Sequence, residues 1–288
     1  TPVPSEPVRC ITVDSHSSLY LAGPGFTPTH NTRIISVTYS LWQILRDPDH
    51  KVMIVSKSSD QAEKIVGLAR DWIDTIPFLQ HLKPQRVEKD RDARYQFDVA
   101  GCQPTTDPSF CSKGIESSIA GTRAHTLIAD DIEDEENTIT AESRERLFNR
   151  TAEFEAIAAY PTSRVIIIGT FHHDDSVYKR LAGLTDSHKV DDEEADEEPL
   201  YKFRTWPIVY PSPGETYIGL SPLIQERLDE GYNKPDDIVA PYRITKDFVK
   251  KKRRRGTRFF GMQYKLQVNL RETLTHPLKL ADLIVFDS

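Results

Sequence analysis

The sequence predicts an α/β protein whose core is a parallel sheet with helices on both faces. Short apolar runs suited to strands alternate along the chain with segments of helical periodicity. Three of these runs are continuous rather than alternating, as expected for strands covered on both faces. The composition is that of an ordinary globular protein, with 38% hydrophobic and 28% charged residues. A net charge of −7 argues against a protein that coats nucleic acid through a uniformly basic surface.

Helices and strands are predicted from apolar spacing and proline positions. The first helix is expected to end near Arg46, because Pro48 restricts the residue before it. The second starts at a Ser/Asp-rich turn and runs to about Trp72, with Pro77 just beyond. The apolar faces are Ile34, Ile35, Thr38, Leu41 and Leu45 in the first helix, and Ile65, Leu68, Ala69 and Trp72 in the second. The predicted strands are 52–55, 126–129 and 164–168.

The strand at 126–129 runs into a pair of acids, Asp130 and Asp131, with Glu133 close behind. A carboxylate at the carboxyl end of a buried strand can hold the water shell of Mg²⁺, and an adjacent acid can orient or deprotonate an attacking water. Asp130 fits the first role and Asp131 the second, as in a Walker B site. Glu133 is the alternative candidate for the acid that acts on the water. An apolar run ending in two acids also occurs as a simple capped strand end, and this alternative stays open.

The N-terminal segment carries residues suited to peptide-bond rearrangement. His30, Asn31 and Thr32 stand in the order that this chemistry needs. The Asn side-chain amide attacks its own backbone carbonyl, the His assists proton transfer, and the hydroxyl downstream accepts the acyl group. Cys10 is a candidate nucleophile, and Thr29 directly precedes the His.

These positions resemble the C-terminal splicing region of a class 3 intein, which places a Cys and a Thr at the positions of Cys10 and Thr29. The resemblance implies that residues 1–31 are the C-terminal part of an all-β Hint (intein) domain. It also implies that Cys10 attacks an upstream splice junction, that the acyl group passes to Thr32, and that Asn31 then cyclises. The alternative is a Pro/Ser/Thr/Gly-rich arm that ends in His-Asn by chance. Because the chain starts at Thr1 without a Met, we expect a fragment.

Further motifs accompany the two acids: Leu41-Trp42, Ile54-Val55-Ser56, the Gly-rich segment 114–124 and Ile168-Gly169-Thr170. Together they resemble the ATPase domain of the large terminase subunit of tailed bacteriophages, over residues 32–288. The resemblance implies a P-loop NTPase fold of the ASCE type that uses ATP and Mg²⁺.

In that family, an Arg in the Gly-rich segment completes the ATP site of a neighbouring subunit, and a Gly-Thr pair after the next strand couples ATP hydrolysis to movement. Arg123, Gly169 and Thr170 occupy those positions. Arg123 is equally open to interpretation as a loop residue paired with a surface carboxylate.

A loop of the form G-x-x-x-x-G-K-[ST] must precede the first helix of such a fold, because its N–H groups and the helix N-terminus cradle the phosphates. Its lysine is absent from the chain. We expect the intein to interrupt the loop before Thr32, which would act first as splicing acceptor and then as a Mg²⁺ ligand beside Asp130. The unspliced fragment is expected to be inactive. The nuclease domain of terminases is expected to lie outside residues 32–288.

A basic run near the C-terminus is a candidate DNA contact, because clustered cations gain from counterion release on DNA. The alternative is that these residues form an exposed helix face or loop without a role in DNA binding, because such a segment can have the same sequence. The acidic run at 191–198 is predicted to be a solvated loop. The basic residues are Lys250, Lys251, Lys252, Arg253, Arg254 and Arg255.

The resemblance implies a motor that, once spliced, packages viral double-stranded DNA into procapsids in the host cell cytoplasm. Its implied partners are DNA, the portal of the procapsid, the small terminase subunit and other copies of itself in a ring, with no membrane. One alternative is a helicase-like P-loop ATPase, and another is a nonenzymatic remnant in which Asp130 and Asp131 only cap a strand. Three cysteines without C-x-x-C spacing favour a reducing compartment over a disulfide framework.

Overall fold

A computed structural model describes residues 20–22, 27–29, 32–84, 91–119, 121–158, 160–173, 175–183, 201–215, 217, 219–231, 233–241 and 244–267. Strands β1 (Tyr20–Ala22) and β2 (Thr27–Thr29) form an antiparallel pair. The remaining strands are β3 (Val52–Ser56), β4 (Asp92–Ala93), β5 (Gln96–Phe97), β6 (Phe110–Gly114), β7 (Thr126–Asp130) and β8 (Arg164–Ile168). They form one six-stranded sheet in the order β4-β5-β6-β3-β7-β8.

Four neighbouring strands of this sheet, β6, β3, β7 and β8, run parallel. Their register aligns Gly114, Ser56, Asp130 and Ile168 in one row at the carboxyl edge. Strands β3 and β7 are buried along their whole length, whereas β8 lies at the end of the sheet and is partly exposed. The prediction of an α/β fold with a mostly parallel sheet is therefore confirmed, and so are the three predicted strands.

One face of the sheet is covered by helices that pack against Val52, Ile54 and Ile128. The hydroxyl of Ser58 caps the longest of them by accepting a hydrogen bond from the N–H of Gln61 (3.2 Å). The elements of this face are a π-helical segment at Arg33–Tyr39, α1 (Ser40–Arg46), α2 (Ser59–Thr75) and a 3₁₀-helix at Pro77–Leu82.

The predicted apolar face of the first helix is wrong in part. Val37, Leu41 and Ile44 are its buried apolar residues, whereas Thr38 is exposed and Ile35 lines a cleft. The π-helical start explains the error, because spacing rules for an α-helix assign faces incorrectly where the winding differs. The predicted face of α2 packs into the core as expected, through Ile65, Leu68, Ala69 and Trp72.

The opposite face of the sheet carries three short helices. They pack against Met53, Val55, Leu127 and Ala129, which alternate with the residues facing the first layer. The largest fully buried side chain that they contribute is Phe154. The helices are α3 (Ala141–Thr151), α4 (Glu153–Ile157) and α5 (Val177–Leu181).

Residues after 200 form a small C-terminal lobe with its own apolar cluster around Val209, Val249 and Phe260. The lobe contacts the sheet region through Gln263, whose Nε2 donates to the carbonyl of Phe171 (2.9 Å). A cleft of about 1050 Å³ lies between the lobe and β8. The helices of the lobe are α6 (Pro222–Asp229), α7 (Lys246–Arg253), α8 (Thr257–Phe260) and a π-helical segment at Gly261–Lys265.

Several strands were not predicted from the sequence. Within β6 the polar Ser112 and Lys113 follow only two apolar residues, so no apolar run marks it. Strands β4 and β5 have two residues each and are too short to show periodicity. No helix within the described ranges is long and apolar enough to cross a membrane. The predicted acidic loop at 191–198 lies outside the described residues.

Candidate active site

The candidate site lies at the carboxyl edge of the parallel strands and centres on Asp130. This side chain is 2% exposed and accepts two hydrogen bonds from the start of the first helix. Ser36 Oγ donates to its Oδ2 (2.6 Å), and Thr32 Oγ1 donates to its Oδ1 (3.3 Å). Burial raises the pKa of Asp130, and the bonds from Ser36 and Thr32 oppose that rise. The structure thus brings together the two residues predicted to bind metal.

The oxygen atoms at this edge fit a Mg²⁺ ion that is shared with phosphates and water. Mg²⁺ commonly takes one or two protein carboxylates and completes its shell with water and phosphate oxygens. Thr32 and Asp130 offer a hydroxyl and a carboxylate in contact with each other. Ser56, the register partner of Asp130, has a buried hydroxyl that finds no hydrogen-bond partner among the described residues. Across the described ranges no cluster of three or more His, Cys, Asp or Glu forms a protein-only metal cage.

Asp131 turns the chain sharply at the end of β7. Its φ of 48° lies in the left-handed region, which Asp tolerates better than most residues. The turn is held by two backbone bonds: Asp131 N–H donates to the carbonyl of Ile168 (2.9 Å), and Lys57 N–H donates to the carbonyl of Asp131 (3.3 Å). The side chain of Asp131 remains open to solvent and is therefore accessible to a water or a ligand.

The electrostatic surroundings of Asp131 shift its titration toward neutral pH. Desolvation by surrounding atoms and the adjacent charge of Asp130 raise the pKa of Asp131 to about 6, while Lys57 opposes the rise. Lys57 also pairs with Asp134 (3.3 Å), which anchors the segment after the turn. Asp131 thus combines exposure with a basicity above that of an ordinary aspartate.

Glu133 is held differently, inside the protein. It is 2% exposed, and both carboxylate oxygens accept hydrogen bonds: Oε2 from Ser176 Oγ (2.6 Å) and Oε1 from Val177 N–H (3.4 Å). Burial raises the pKa of Glu133 to about 7, against the effect of these bonds. The geometry therefore favours Asp131 over Glu133 as the acid that contacts a water.

Gly169 and Thr170, the predicted coupling residues, directly follow β8 and so lie at the same edge as Asp130. A Cβ atom on Gly169 would overlap the hydroxyl and ring of Tyr178. Thr170 is half-buried and lines the cleft beside β8. The structure therefore places both residues next to the acidic turn.

Arg123 lies at the opposite edge of the sheet. It precedes the first residue of β7, whereas Asp130 is the last. Five strand residues span about 13 Å, so Arg123 lies on the side of the sheet opposite Asp130. Its backbone N–H donates to Asp107 Oδ1 (3.0 Å), and its side chain is exposed. This position separates Arg123 from the site of its own subunit, and its interpretation as a surface loop residue stays open.

The predicted basic run falls on α7 and the turn after it, and its cations divide into two groups. Lys252 lies over the rings of Phe248 and Tyr264, Arg253 lies over Phe260 and Arg255 lies over Phe259. Within the described contacts, the side chains of the other three form no ion pair or ring contact. These three exposed cations are Lys250, Lys251 and Arg254.

Of the predicted splicing residues, Cys10, His30 and Asn31 lie outside the described residues. Thr29 is described only through its backbone, as the last residue of β2 paired with Tyr20. Thr32 is described in full at the start of the first helix, where it contacts Asp130.

Three residues of the site were not predicted from the sequence. Ser36 follows Thr32 by four positions, a spacing that places both on one side of a helix and could have revealed it. Ser176 and Tyr178 contact the segment around Glu133 from more than 40 positions away. No local pattern marks such long-range partners.

Comparison of the sequence with those of known proteins finds a relative. No family model matches the chain. The large terminase subunit of Enterobacteria phage T3 is 33% identical to it over 261 residues, an alignment that covers 87% of this chain and 41% of the relative. The chain therefore spans less than half the length of the relative it matches. Over most of its own length, the chain is homologous to the large terminase subunit of a bacteriophage.

Proposed function

We propose that this chain, once residues 1–31 are removed, is the ATPase part of a motor that packages viral double-stranded DNA. The observation that carries the proposal is the contact of Thr32 with Asp130 at the carboxyl edge of a parallel sheet, with an exposed acid at Asp131. That edge is where ligands bind in open α/β sheets. Homology to a large terminase subunit supports the packaging role.

The proposed chemistry assigns one task to each residue at this edge. Asp130 and Thr32 would hold Mg²⁺, which neutralises charge on the phosphate oxygens when bound. Asp131 would orient a water in line with the γ-phosphate and accept its proton, a task suited to an accessible carboxylate of raised pKa. Gly169 and Thr170 would couple the structural change that accompanies ATP hydrolysis to movement of the rest of the molecule.

A phosphate-binding loop with its lysine would lead directly into the helix that begins at Thr32. Among the described strands, β8 pairs only with β7, so its other edge is open and borders the cleft. The strand that precedes the phosphate-binding loop could pair with this open edge of β8. The proposal thus requires the loop on the N-terminal side of Thr32 in the spliced protein.

Removal of residues 1–31 by protein splicing forms part of the proposal. Cys10 would form the branched intermediate, Thr32 would accept the acyl group, and Asn31 would cyclise with help from His30. Splicing would thereby deliver Thr32 to the phosphate loop. Mass analysis of the precursor tests this step: Cys10→Ala is expected to block the branched intermediate, and splicing of Cys10→Ala at the normal rate would contradict the class 3 assignment.

The partners proposed for the spliced motor are double-stranded DNA, a procapsid portal, a small terminase subunit and further copies of the chain, in the host cell cytoplasm. Arg123 would act on the ATP site of a neighbouring copy. The test is ATP turnover of the spliced protein with and without procapsids. Stimulation by procapsids supports a packaging motor, turnover that depends on DNA alone supports a helicase-like ATPase, and absence of nucleotide binding supports a remnant.

A further inference from the structure

We propose that Tyr178 is a positioning residue that locks the acidic turn after β7 to the Gly169–Thr170 turn after β8, so that the two turns move as one unit. The proposal rests on the proposed ATPase function for its consequence. The contacts that support it come from the structure alone.

The first contact joins Tyr178 to the acidic turn. Its hydroxyl accepts a hydrogen bond from the backbone N–H of Glu133 (3.3 Å). A second link runs through Ser176, whose Oγ donates to the Glu133 carboxylate (2.6 Å) and accepts from the N–H of Tyr178 (3.3 Å). Backbone and side chain of Glu133 are therefore both tied to α5.

The second contact joins Tyr178 to the turn after β8. The ring and hydroxyl of Tyr178 occupy the space that a Cβ atom on Gly169 would need. Glycine is thus required at this position by close packing rather than by its backbone angles. Asp131 N–H also donates to the carbonyl of Ile168 (2.9 Å), so the two turns are joined directly as well as through the tyrosine.

The helix that carries Tyr178 is itself fixed. Asp175, just before α5, accepts from Arg180 Nε (2.9 Å) and from Arg144 Nε of α3 (3.1 Å). Arg180 also pairs with Glu145 of α3 (2.5 Å). These bonds leave α5 little freedom to move away from α3, so Tyr178 acts as a rigid strut rather than a flexible side chain.

The position of the strut gives it a role in the proposed reaction. Tyr178 also lines the cleft, and it packs near Phe171, whose carbonyl binds Gln263 of the C-terminal lobe. A shift of Asp131 when phosphate leaves would therefore reach the lobe through Tyr178. Burial, followed by the charges of Glu133 and Asp131, raises the pKa of Tyr178, so its hydroxyl remains protonated.

The contact is tested by backbone amide hydrogen exchange at Glu133 in the chain itself. Tyr178→Phe removes only the acceptor oxygen, so exchange at this amide is expected to rise about three- to tenfold. Tyr160→Phe is the matched control, because Tyr160 stacks on His125 away from the site. Unchanged exchange at Glu133 in Tyr178→Phe, or an equal rise in the control, would overturn the proposal.

The positioning role is tested by ATP turnover and nucleotide affinity in the spliced protein. Loosening the turn should misplace Asp131 relative to the bound phosphates without removing any group that binds them. In Tyr178→Phe, kcat should therefore fall on the order of tenfold while nucleotide affinity is kept. An unchanged kcat, or a fall in kcat matched by an equal loss of nucleotide affinity, would reduce Tyr178 to a structural role and overturn the proposal. A parent protein without turnover would instead defeat the ATPase function, while the exchange result would still decide the contact.

Packing against Gly169 is tested by a double-mutant cycle read as thermal stability and exchange. Gly169→Ala is expected to destabilise the chain strongly, because the new methyl group overlaps Tyr178. In a Tyr178→Leu background the shorter side chain makes room, so the added cost of Gly169→Ala should be much smaller. Equal costs in both backgrounds would show that the two positions are not coupled.

Discussion

At the scale of single residues, the buried carboxyl of Glu133 makes a prediction about stability. Its pKa in the folded chain is about 7, above the ordinary value of 4.5, so the folded state favours the protonated form. The contribution of Glu133 to the free energy of unfolding is therefore fully present below about pH 4.5. It is lost as the pH rises through about 7, and the loss is on the order of 3 kcal/mol.

The measurement is urea unfolding of the chain at about pH 5 and about pH 8, for the parent and Glu133→Gln. The substitution should remove this part of the decline between the two values, because glutamine does not ionise. Glu142→Gln is the matched control, since Glu142 is exposed on α3. A decline of the same size in parent and Glu133→Gln would show that Glu133 does not titrate as described.

The same residues show what a sequence can and cannot reveal at this scale. The pairing of Thr32 with Asp130 followed from motif order, although they are 98 positions apart. The preference for Asp131 over Glu133 rested only on its position next to Asp130, and the sequence did not show that Ser176 and Val177 enclose the side chain of Glu133. Enclosure of that kind is a product of tertiary packing and has no local signature.

At the scale of elements, helix α7 makes a prediction about DNA binding. The cations that lie over aromatic rings contribute to the stability of the lobe. The side chains of Lys250, Lys251 and Arg254 are exposed instead, so DNA phosphates can contact them. Changing these three to Ala should weaken DNA binding and flatten its dependence on salt by about 2 to 3 units in log–log slope. Filter binding or fluorescence anisotropy across a salt series measures both quantities.

The control for this experiment removes three exposed cations from the sheet region, at Lys64, Lys83 and Arg146. The net charge of the two variants is then equal. If both variants lose affinity equally, total charge rather than α7 governs DNA binding.

Lys252 lies over two aromatic rings, so changing Lys252 to Met should lower the stability of the lobe.

Elements were predictable where their sequence was regular. Strands β3, β7 and β8 are apolar runs. Strands β3 and β7 are buried between helices, as that pattern predicts, whereas β8 is only partly buried at the end of the sheet. Strand β6 has the same structural role but carries polar residues in its second half: Ser112 Oγ donates to the carbonyl of Tyr95 (3.0 Å), and Lys113 is only partly buried. The π-helical start of the first helix also has no marker in the sequence, and the face prediction failed there.

At the scale of the whole molecule, the separation of Arg123 from Asp130 leads to a prediction about assembly. Arg123 and Asp130 lie at opposite edges, so one subunit cannot bring its own Arg123 to its own site. In the spliced protein, Arg123→Ala should leave the slow turnover of dilute monomers unchanged and lower that of the assembled ring by on the order of 10³-fold. Equal loss in monomer and ring would contradict a role between subunits.

The central claim is that the carboxyl edge of this sheet hydrolyses ATP, and the most direct measurement is turnover beside nucleotide affinity in Asp131→Asn of the spliced protein. The account predicts that turnover falls about 10²- to 10⁴-fold while affinity is largely kept, because the change spares Thr32 and Asp130. Asp71→Asn, on an exposed part of α2, is the matched control and should behave like the parent. Unchanged turnover in Asp131→Asn would contradict the assignment of this acid.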